Sequence, residues 1–238
     1  MEMQKRGDLV INGFGASNGG QFHQVTLNGK GTVNSDVECK GFECNGTGTV
    51  KGNINTEIAK INGMAKIGGT VAAKDLSIDG TAKIEKNLLV EKLKVSGKAS
   101  VGGKVKAEEI KVKGKLTVGE DCEAELFKAE SMFTIGGLLN ADEVDIKIFG
   151  ECQAKEIGGQ SIVVKYKPSW LGLFKSLFQT QLRVEVIEGD TIHLENTKAA
   201  VVRGNHVTIG QNCEIDVVEY TDELSIDPSA VVGESKKM

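Results

Sequence analysis

The sequence predicts an all-β chain: a right-handed parallel β-helix, that is, a triangular solenoid of 17-residue coils, with one short amphipathic helical insertion. Two observations predict the solenoid. Apolar residues recur at a step of 17, and glycine recurs two positions after one of the apolar columns. Composition agrees, because thirty glycines and only 5% aromatic residues suit short strands joined at tight corners.

The repeat is followed most easily as columns of like residues. One apolar column is Leu27, Cys44, Ile61, Ile78, Val95, Val112, Ala129 and Ile146. The glycine column is Gly29, Gly46, Gly63, Gly80, Gly97 and Gly114. No single coil can bury its own apolar face, so stacked coils are expected to share one core. The glycines are expected at corners, where the backbone needs a conformation that other residues adopt at a steric cost.

Within one repeat, the apolar residues come in pairs two positions apart, which places both side chains on one face of a strand. The pairs in one repeat are Leu76 with Ile78, Ala82 with Ile84, and Leu88 with Val90. Successive pairs start 6, 6 and 5 residues apart. This spacing predicts three strands in each coil. It favours the right-handed form over the strict hexapeptides of left-handed β-helices.

The pattern divides the chain into five segments. They are an amino-terminal segment with a glycine-rich loop (1–24), a main β-helix (25–158), an insertion with the amphipathic helix (159–181), a second β-helical section (182–233) and a charged tail (234–238). Whether the second section continues the main stack is left open. In that section we expect the step of 17 to place Ile192, Ile209 and Ile226 in one column.

The insertion carries an apolar stripe at helical spacing over residues 169–181, with Ser169 as a possible N-cap. The stripe consists of Trp170, Leu171, Leu173, Phe174, Leu177 and Phe178. These residues are predicted to contact either a membrane surface or another subunit. Basic residues flank the stripe and would attract anionic lipid. Packing on the chain's own β-helix is a third interpretation, because apolar helical stripes are usually buried.

The sequence predicts no catalytic, cofactor-binding or metal-binding residue. The five cysteines are interpreted as buried apolar residues, since each falls on an inward position. They are Cys39, Cys44, Cys122, Cys152 and Cys213. His23, His193 and His206 have no recognisable catalytic partner in the sequence, which disfavours the His-dependent chemistry of β-helical acyltransferases.

Charge and the start of the sequence bear on partners and location. The net charge is −4, and the lysines between 92 and 115 have no interleaved aromatic residues, so no nucleic-acid partner is expected. The first residues contain no apolar signal segment. We therefore expect a cytoplasmic protein, with association at the inner face of the membrane if the apolar stripe binds lipid.

The coils "INGMAKIGGTV" (61–71) and "VSGKASVGGKV" (95–105) resemble those of bactofilins, the bacterial polymer-forming cytoskeletal family. The resemblance covers residues 25–158, and the added section resembles a longer Bacillus-type branch. It implies a right-handed triangular β-helix that polymerises end to end without nucleotide. The chain departs from the family in lacking proline-rich tails, since it has only Pro168 and Pro228.

The sequence and the resemblance together predict a non-enzymatic cytoskeletal scaffold whose partner is a second copy of itself. Terminal coils of a β-helix expose unpaired strand edges, which can pair with another chain. The residues expected at these contacts are Val25, Leu27 and Val33 at one end, and Val144, Ile146 and Cys152 at the other. Two alternatives stay open: a β-helical acyltransferase-type enzyme and a monomeric protein-binding module.

Overall fold

The structure, a computed structural model, describes residues 6–166 and 180–238. These residues form a parallel β-solenoid of about 13 turns and contain no helix. The all-β solenoid prediction is therefore confirmed. Most of the predicted helix, including every residue of its apolar stripe, lies outside the described residues. Its last two residues, Thr180 and Gln181, are not helical.

The chain divides into two compact units, Met1–Glu108 with Lys115–Val118, and Glu109–Gly114 with Gly119–Met238. In the first unit the strands are β1 (Leu9–Ile11), β2 (Phe14–Ser17), β3 (Gly20–Gln21), β4 (Gln24–Leu27), β5 (Lys30–Val33), β6 (Val37–Cys44), β7 (Thr47–Val50), β8 (Ile54–Ile61), β9 (Met64–Ile67), β10 (Val71–Ile78), β11 (Thr81–Ile84), β12 (Leu88–Val95), β13 (Lys98–Val101), β14 (Val105–Lys106) and β16 (Lys115–Val118). In the second they are β15 (Glu109–Val112), β17 (Cys122–Tyr166), β18 (Leu182–Leu194), β19 (Thr197–Ile209), β20 (Glu214–Ile226) and β21 (Val231–Lys237).

The predicted 17-residue register is confirmed in the first unit. Leu27 pairs with Cys44, Cys44 with Ile61, Ile61 with Ile78, and Ile78 with Val95, all between parallel strands. The inward side chains of each coil are buried against those of its neighbours, for example Leu88 at 0% exposure and Ile84 at 1%. This continuous apolar interior is the core of the unit, and its burial is the main source of stability.

The reason predicted for the glycine column needs correction. The described glycines with positive φ are Gly19 and Gly20, and neither belongs to the column. The column is glycine because successive coils approach closely there. A Cβ on Gly63 would lie 2.1 Å from the carbonyl oxygen of Gly46, and one on Gly97 would lie 2.0 Å from that of Gly80. The stacked backbones leave no room for any side chain at these corners.

An asparagine ladder runs beside this column. The side-chain amide of Asn28 donates to Asn12 Oδ1 at 2.8 Å, that of Asn45 to Asn28 Oδ1 at 2.9 Å, and that of Asn62 to Asn45 Oδ1 at 2.7 Å. Each internal amide therefore both donates and accepts between coils. The Asn-Gly dipeptides of the sequence thus combine close backbone stacking with hydrogen bonding between side chains.

The coils extend beyond the predicted main β-helix at its amino-terminal side. The predicted amino-terminal segment (1–24), with its glycine-rich loop at 13–21, contains strands β1 to β3, which pair in parallel with β4, β5 and β6. Ile11 lies over Leu27 and Ser17 over Val33, a step of 16 rather than 17. The prediction failed because the shorter step hides this coil from a search at a step of 17.

The second section continues the stack of β17. Strand β17 runs on to Tyr166, past the predicted register break at Gly158. Leu182 pairs with Cys152 and Leu194 with Val164. Beyond that the step shortens to 15, and Ile192 pairs with Val207, so the predicted column from Ile192 to Ile209 is wrong. A bulge between Gly204 and His206 restores the step of 17, as predicted for Ile209 over Ile226.

Candidate self-assembly edges

The structure places the predicted amino-terminal contact residues inside the first unit. Val25, Leu27 and Val33 are each 0% exposed. Strand β1 covers β4, and strand β2 covers β5. These residues are core positions of the second coil, and another chain cannot reach them without displacing the first coil. The sequence pattern started the solenoid one coil too late, so these residues lie one coil inside the amino-terminal edge.

The other three predicted contact residues are also internal. Val144, Ile146 and Cys152 are at most 1% exposed within the second unit. Strand β18 lies over β17 from Cys152 onward, with Leu182 paired to Cys152. Because the solenoid continues through β19, β20 and β21, residues near 150 do not form an end of the stack.

The uncovered edge at the amino-terminal side of the first unit is formed by β1 and β2. Within the described residues, β1 pairs only with β4 and β2 only with β5, so the opposite side of each strand has no neighbouring strand. Phe14 is 91% exposed and Val10 is 53% exposed. Residues 9–29 contain no Asp, Glu, Lys or Arg. We call residues 9–17 the amino edge.

Polar contacts hold the amino edge in place on the second coil. The guanidinium of Arg6 forms an ion pair with Glu38 at 2.9 Å, and Asp8 Oδ1 accepts a hydrogen bond from the backbone N–H of Gln24 at 3.1 Å. Asn12 is the first member of the asparagine ladder. Arg6 and Asp8, the charged residues that the structure describes before the edge, are thus bound to the coil behind it. The first coil is a formed structural element, with a strand edge available for pairing.

The uncovered edge at the carboxyl-terminal side of the second unit has a different chemistry. Its last strand, β21, carries Glu234, Lys236 and Lys237, with an ion pair between Lys236 and Glu234 at 3.2 Å. Ser235 lies over Val218, which itself lies over Val202, so the apolar column ends in a hydroxyl. Strand β21 pairs with Glu214–Tyr220 and leaves the rest of β20 uncovered. We call residues 221–237 the carboxyl edge.

A groove of about 650 Å³ lies along the second unit and is lined by both polar and apolar side chains. The groove is lined by Gly159, Gly189 and Gly204, which pair with one another on the successive strands β17, β18 and β19. Along one side, Arg203 lies between Glu188 at 3.0 Å and Glu219 at 2.7 Å, and the Glu219 carboxylate raises the pKa of the guanidinium. The sequence did not predict this groove, because its glycines recur at steps of 30 and 15 rather than 17.

A second hydrogen-bonded column lines the same groove. The side-chain amide of Asn205 donates to Asp190 Oδ1 at 3.1 Å, and the hydroxyl of Thr221 donates to Asn205 Oδ1 at 3.0 Å. Most of the groove's polar groups thus already bind one another. The groove offers a mixed polar and apolar surface, and neither His193 nor His206 is among its lining residues.

The cysteines lie where the sequence placed them. All five are buried and free. Burial raises the pKa of Cys122 and of Cys152 to about 12, and that of Cys213 to about 11. Among the described residues, no group of three or more His, Cys, Asp or Glu side chains is arranged to hold a metal ion. The thiols are therefore protonated at neutral pH and act as small apolar side chains.

Two histidines do have carboxylate neighbours, which the sequence reading did not find. His193 Nε2 lies 3.6 Å from Glu195 Oε1, and His206 Nδ1 lies 3.9 Å from Asp222 Oδ2. The second oxygen of Glu195 accepts the backbone N–H of Tyr166 at 2.9 Å. Glu195 lies two residues after His193 on the same face, and Asp222 lies on the coil that follows His206. The first pair therefore follows from strand geometry and the second from the stacking of coils.

Comparison with known proteins gives the chain a family. It is 63% identical over 231 residues to the uncharacterized protein YhbE of Bacillus subtilis (strain 168), a match that covers 97% of this chain and 98% of YhbE. The chain belongs to the YhbE family. The uncharacterized protein YhbF of the same organism is 40% identical over 103 residues, 43% of this chain and 42% of YhbF. The match to YhbE thus covers nearly the full length of both proteins.

Two further comparisons gave no match, one with protein-family models and one with solved structures. Across residues 6–166 and 180–238, no helix is long and apolar enough to cross a membrane.

Proposed function

We propose that this member of the YhbE family is a non-enzymatic scaffold that self-assembles end to end, without nucleotide, in the bacterial cytoplasm. The observation that carries the proposal is the amino edge. It presents two uncovered strands with no charged side chain and a phenylalanine that is 91% exposed. An open strand edge is a template for pairing with another chain, and soluble proteins ordinarily protect such edges with charge or proline.

The finer features of the proposal come from the resemblance to bactofilins. They are the right-handed, triangular form of the solenoid and a cytoskeletal role. In the same proposal, the apolar residues predicted between 170 and 178 contact another subunit or the inner membrane surface. The 17-residue register and the continuous apolar columns support the resemblance, because they provide a stack that a second copy can extend.

Self-assembly is tested by sedimentation velocity over a range of protein concentrations. We expect the wild type to sediment as species larger than the 25.4 kDa chain. Phe14→Asp should shift the distribution to monomer, because it adds a charge to the amino edge. Met64→Asp is a matched control, since Met64 is 56% exposed and lies three coils further along the same column. A wild type that stays monomeric up to high micromolar concentration would refute the proposal.

A monomeric protein-binding module is the second candidate, and the groove of the second unit favours it. If binding in this groove is the main function, Arg203→Gln should abolish capture of a partner while leaving the sedimentation of the chain unchanged. The scaffold predicts that Phe14→Asp changes sedimentation. The binding module predicts that Arg203→Gln changes partner capture and leaves sedimentation unchanged.

A further inference from the structure

The sequence contains five Asn-Gly dipeptides, and the first of them, Asn12–Gly13, differs from the others in its hydrogen bonds. We propose that Asn12 is a site of spontaneous deamidation, and that the Asn-Gly dipeptides of the inner coils resist the same reaction because their coils are stacked. The inference does not depend on the proposed function. It concerns a covalent modification of the chain in which water is the only co-reactant.

Deamidation at an Asn-Gly dipeptide begins with attack by the chain's own backbone. The Gly13 nitrogen attacks Cγ of Asn12, so a new N–C bond forms, the Cγ–Nδ2 bond breaks, and ammonia leaves with the proton of the Gly13 N–H. Water then opens the cyclic imide at either of its carbonyl carbons, giving aspartate or isoaspartate. One water is consumed and one ammonia is released for each residue modified. Glycine favours the attack because it has no Cβ beside the nitrogen.

In the inner coils the same attack requires several hydrogen bonds to break. The Gly46 N–H donates to the Leu27 carbonyl oxygen at 3.0 Å, in the coil before it. A nitrogen held in this way must lose that bond before it can turn toward the preceding side chain. The side chain is held as well, because the amide of Asn45 donates to Asn28 and accepts from Asn62. The same N–H bond to the preceding coil recurs at Gly29 and Gly63.

Asn12 lacks most of these restraints because its coil is the first. Among the described residues, neither the Gly13 N–H nor the side-chain N–H groups of Asn12 have an acceptor. The ladder holds Asn12 by one bond, which its Oδ1 accepts from Asn28 at 2.8 Å. Gly13 is exposed, and nothing lies within 4 Å of its Cβ position, so water has access. The reaction at Asn12 therefore breaks two fewer hydrogen bonds than the reaction at Asn45.

The fifth dipeptide, Asn18–Gly19, is intermediate between these cases. The Gly19 N–H donates to Ser17 Oγ at 3.4 Å, which is long for a hydrogen bond of this type. The backbone there is also confined, because the Cβ position of Gly19 lies 2.5 Å from the carbonyl oxygen of Asp36. We expect Asn18 to react more slowly than Asn12 and faster than Asn45.

The modification would change the first coil in two ways. Aspartate at position 12 keeps an oxygen that can accept from Asn28, and it adds a negative charge to residues 9–17, which contain no charged side chain. Isoaspartate carries the backbone through the former side chain, which lengthens the connection between β1 and β2 by a methylene group. Strand β1 pairs with β4 and β2 with β5, so a longer connection disturbs the register of one of them. The reaction therefore both marks the first coil and loosens it.

The test follows the wild-type chain during incubation in mildly alkaline buffer, with peptide mapping by mass spectrometry at intervals. A low protein concentration keeps the result independent of self-assembly. Fragment ions report each Asn-Gly dipeptide separately, through the gain in mass when an amide becomes an acid. We expect Asn12 to react about tenfold or more faster than Asn45, because two fewer hydrogen bonds break. In urea, where the stack is unfolded, the two residues should react at similar rates.

Gly13→Ala is the matched variant. Its added Cβ hinders attack by the nitrogen and has open space in the folded chain, so the solenoid should stay intact, as circular dichroism checks. We expect the variant to slow the reaction at Asn12 to the rate of Asn45 or below, and to leave Asn45 unchanged. The inference is overturned if Asn12 reacts no faster than the other four asparagines in the folded wild type. It is also overturned if Asn12 leads by the same factor in urea, because the stack would then not be the cause.

Discussion

A Cβ on Gly63 would lie 2.1 Å from the carbonyl oxygen of Gly46 in the coil before it. The contact is between backbones, so no rotation of a side chain can relieve it. It recurs along the glycine column and shows that corner stacking, rather than an unusual φ angle, requires glycine there.

This contact predicts a strong effect of adding one methyl group. Gly63→Ala should lower the free energy of unfolding by about 3 kcal/mol, because the coils must separate locally to admit the Cβ. Gly13→Ala is the matched control, since Gly13 precedes Gly29 in the same column but nothing lies within 4 Å of its Cβ position. Urea unfolding of both variants measures the difference. Equal stabilities would contradict the explanation of the column.

The asparagine ladder predicts a graded effect. Asn45 both donates to Asn28 and accepts from Asn62, whereas Asn12 only accepts from Asn28. Each hydrogen bond lost should lower the free energy of unfolding by roughly 1 kcal/mol or less. Asn45→Ala should therefore lower it by about 1–2 kcal/mol, and Asn12→Ala by about half of that. The comparison is made by chemical denaturation. A cost for Asn12→Ala equal to that for Asn45→Ala would show that the ladder does not act through its bonds.

Burial of the thiols predicts an alkaline loss of stability. Burial raises the pKa of Cys122 from 9.0 to about 12 in the folded protein. Between these pH values the Cys122 thiol ionises in the unfolded chain and stays protonated in the folded protein. The free energy of unfolding is therefore unaffected below pH 9 and falls as the pH rises toward 12. From pH 8 to pH 10, the wild type should lose about 1 kcal/mol more than Cys122→Ala, since one pH unit is worth roughly 1.4 kcal/mol. An identical pH dependence in the two proteins would contradict this.

Ser131 predicts a stabilising substitution. Its side-chain oxygen is buried and has no hydrogen-bond partner, although its backbone oxygen accepts the thiol of Cys152 at 3.3 Å. A buried unpaired hydroxyl costs about 1–3 kcal/mol. Ser131→Ala should therefore raise the free energy of unfolding by about 1 kcal/mol, measured by urea titration. Ser100→Ala, at a more exposed position, should change little.

The sequence predicted the part of the fold that stacking itself repeats. The columns through Ile61 and Ile84 could be predicted because a constant coil length of 17 residues stacks residues of the same type on one another. The first coil was missed because its step is 16, and because Ser17 and Gly20 occupy apolar columns. Within the described residues, the first coil has no coil of its own chain on its outer side, so its sequence is free to depart from the 17-residue repeat.

The candidate site was harder to predict because the repeat shows where coils stack and does not show where the stack ends. An assembly edge is defined by where pairing stops, and the repeat pattern cannot show that. Val25 and Cys152 have the apolar character expected of a contact, yet both are covered by neighbouring strands. The charge pattern was a better signal of the edge. Residues 9–29 contain no Asp, Glu, Lys or Arg, and this stretch includes the exposed Phe14.

The central claim, assembly through the amino edge, is tested most directly by hydrogen–deuterium exchange at low and high protein concentration. Amides of β1 and β2 should exchange more slowly at high concentration, because pairing protects them. Phe14→Asp should remove the concentration dependence. Exchange at β1 and β2 that is the same at both concentrations, or protection that appears at β21 instead, would contradict the account.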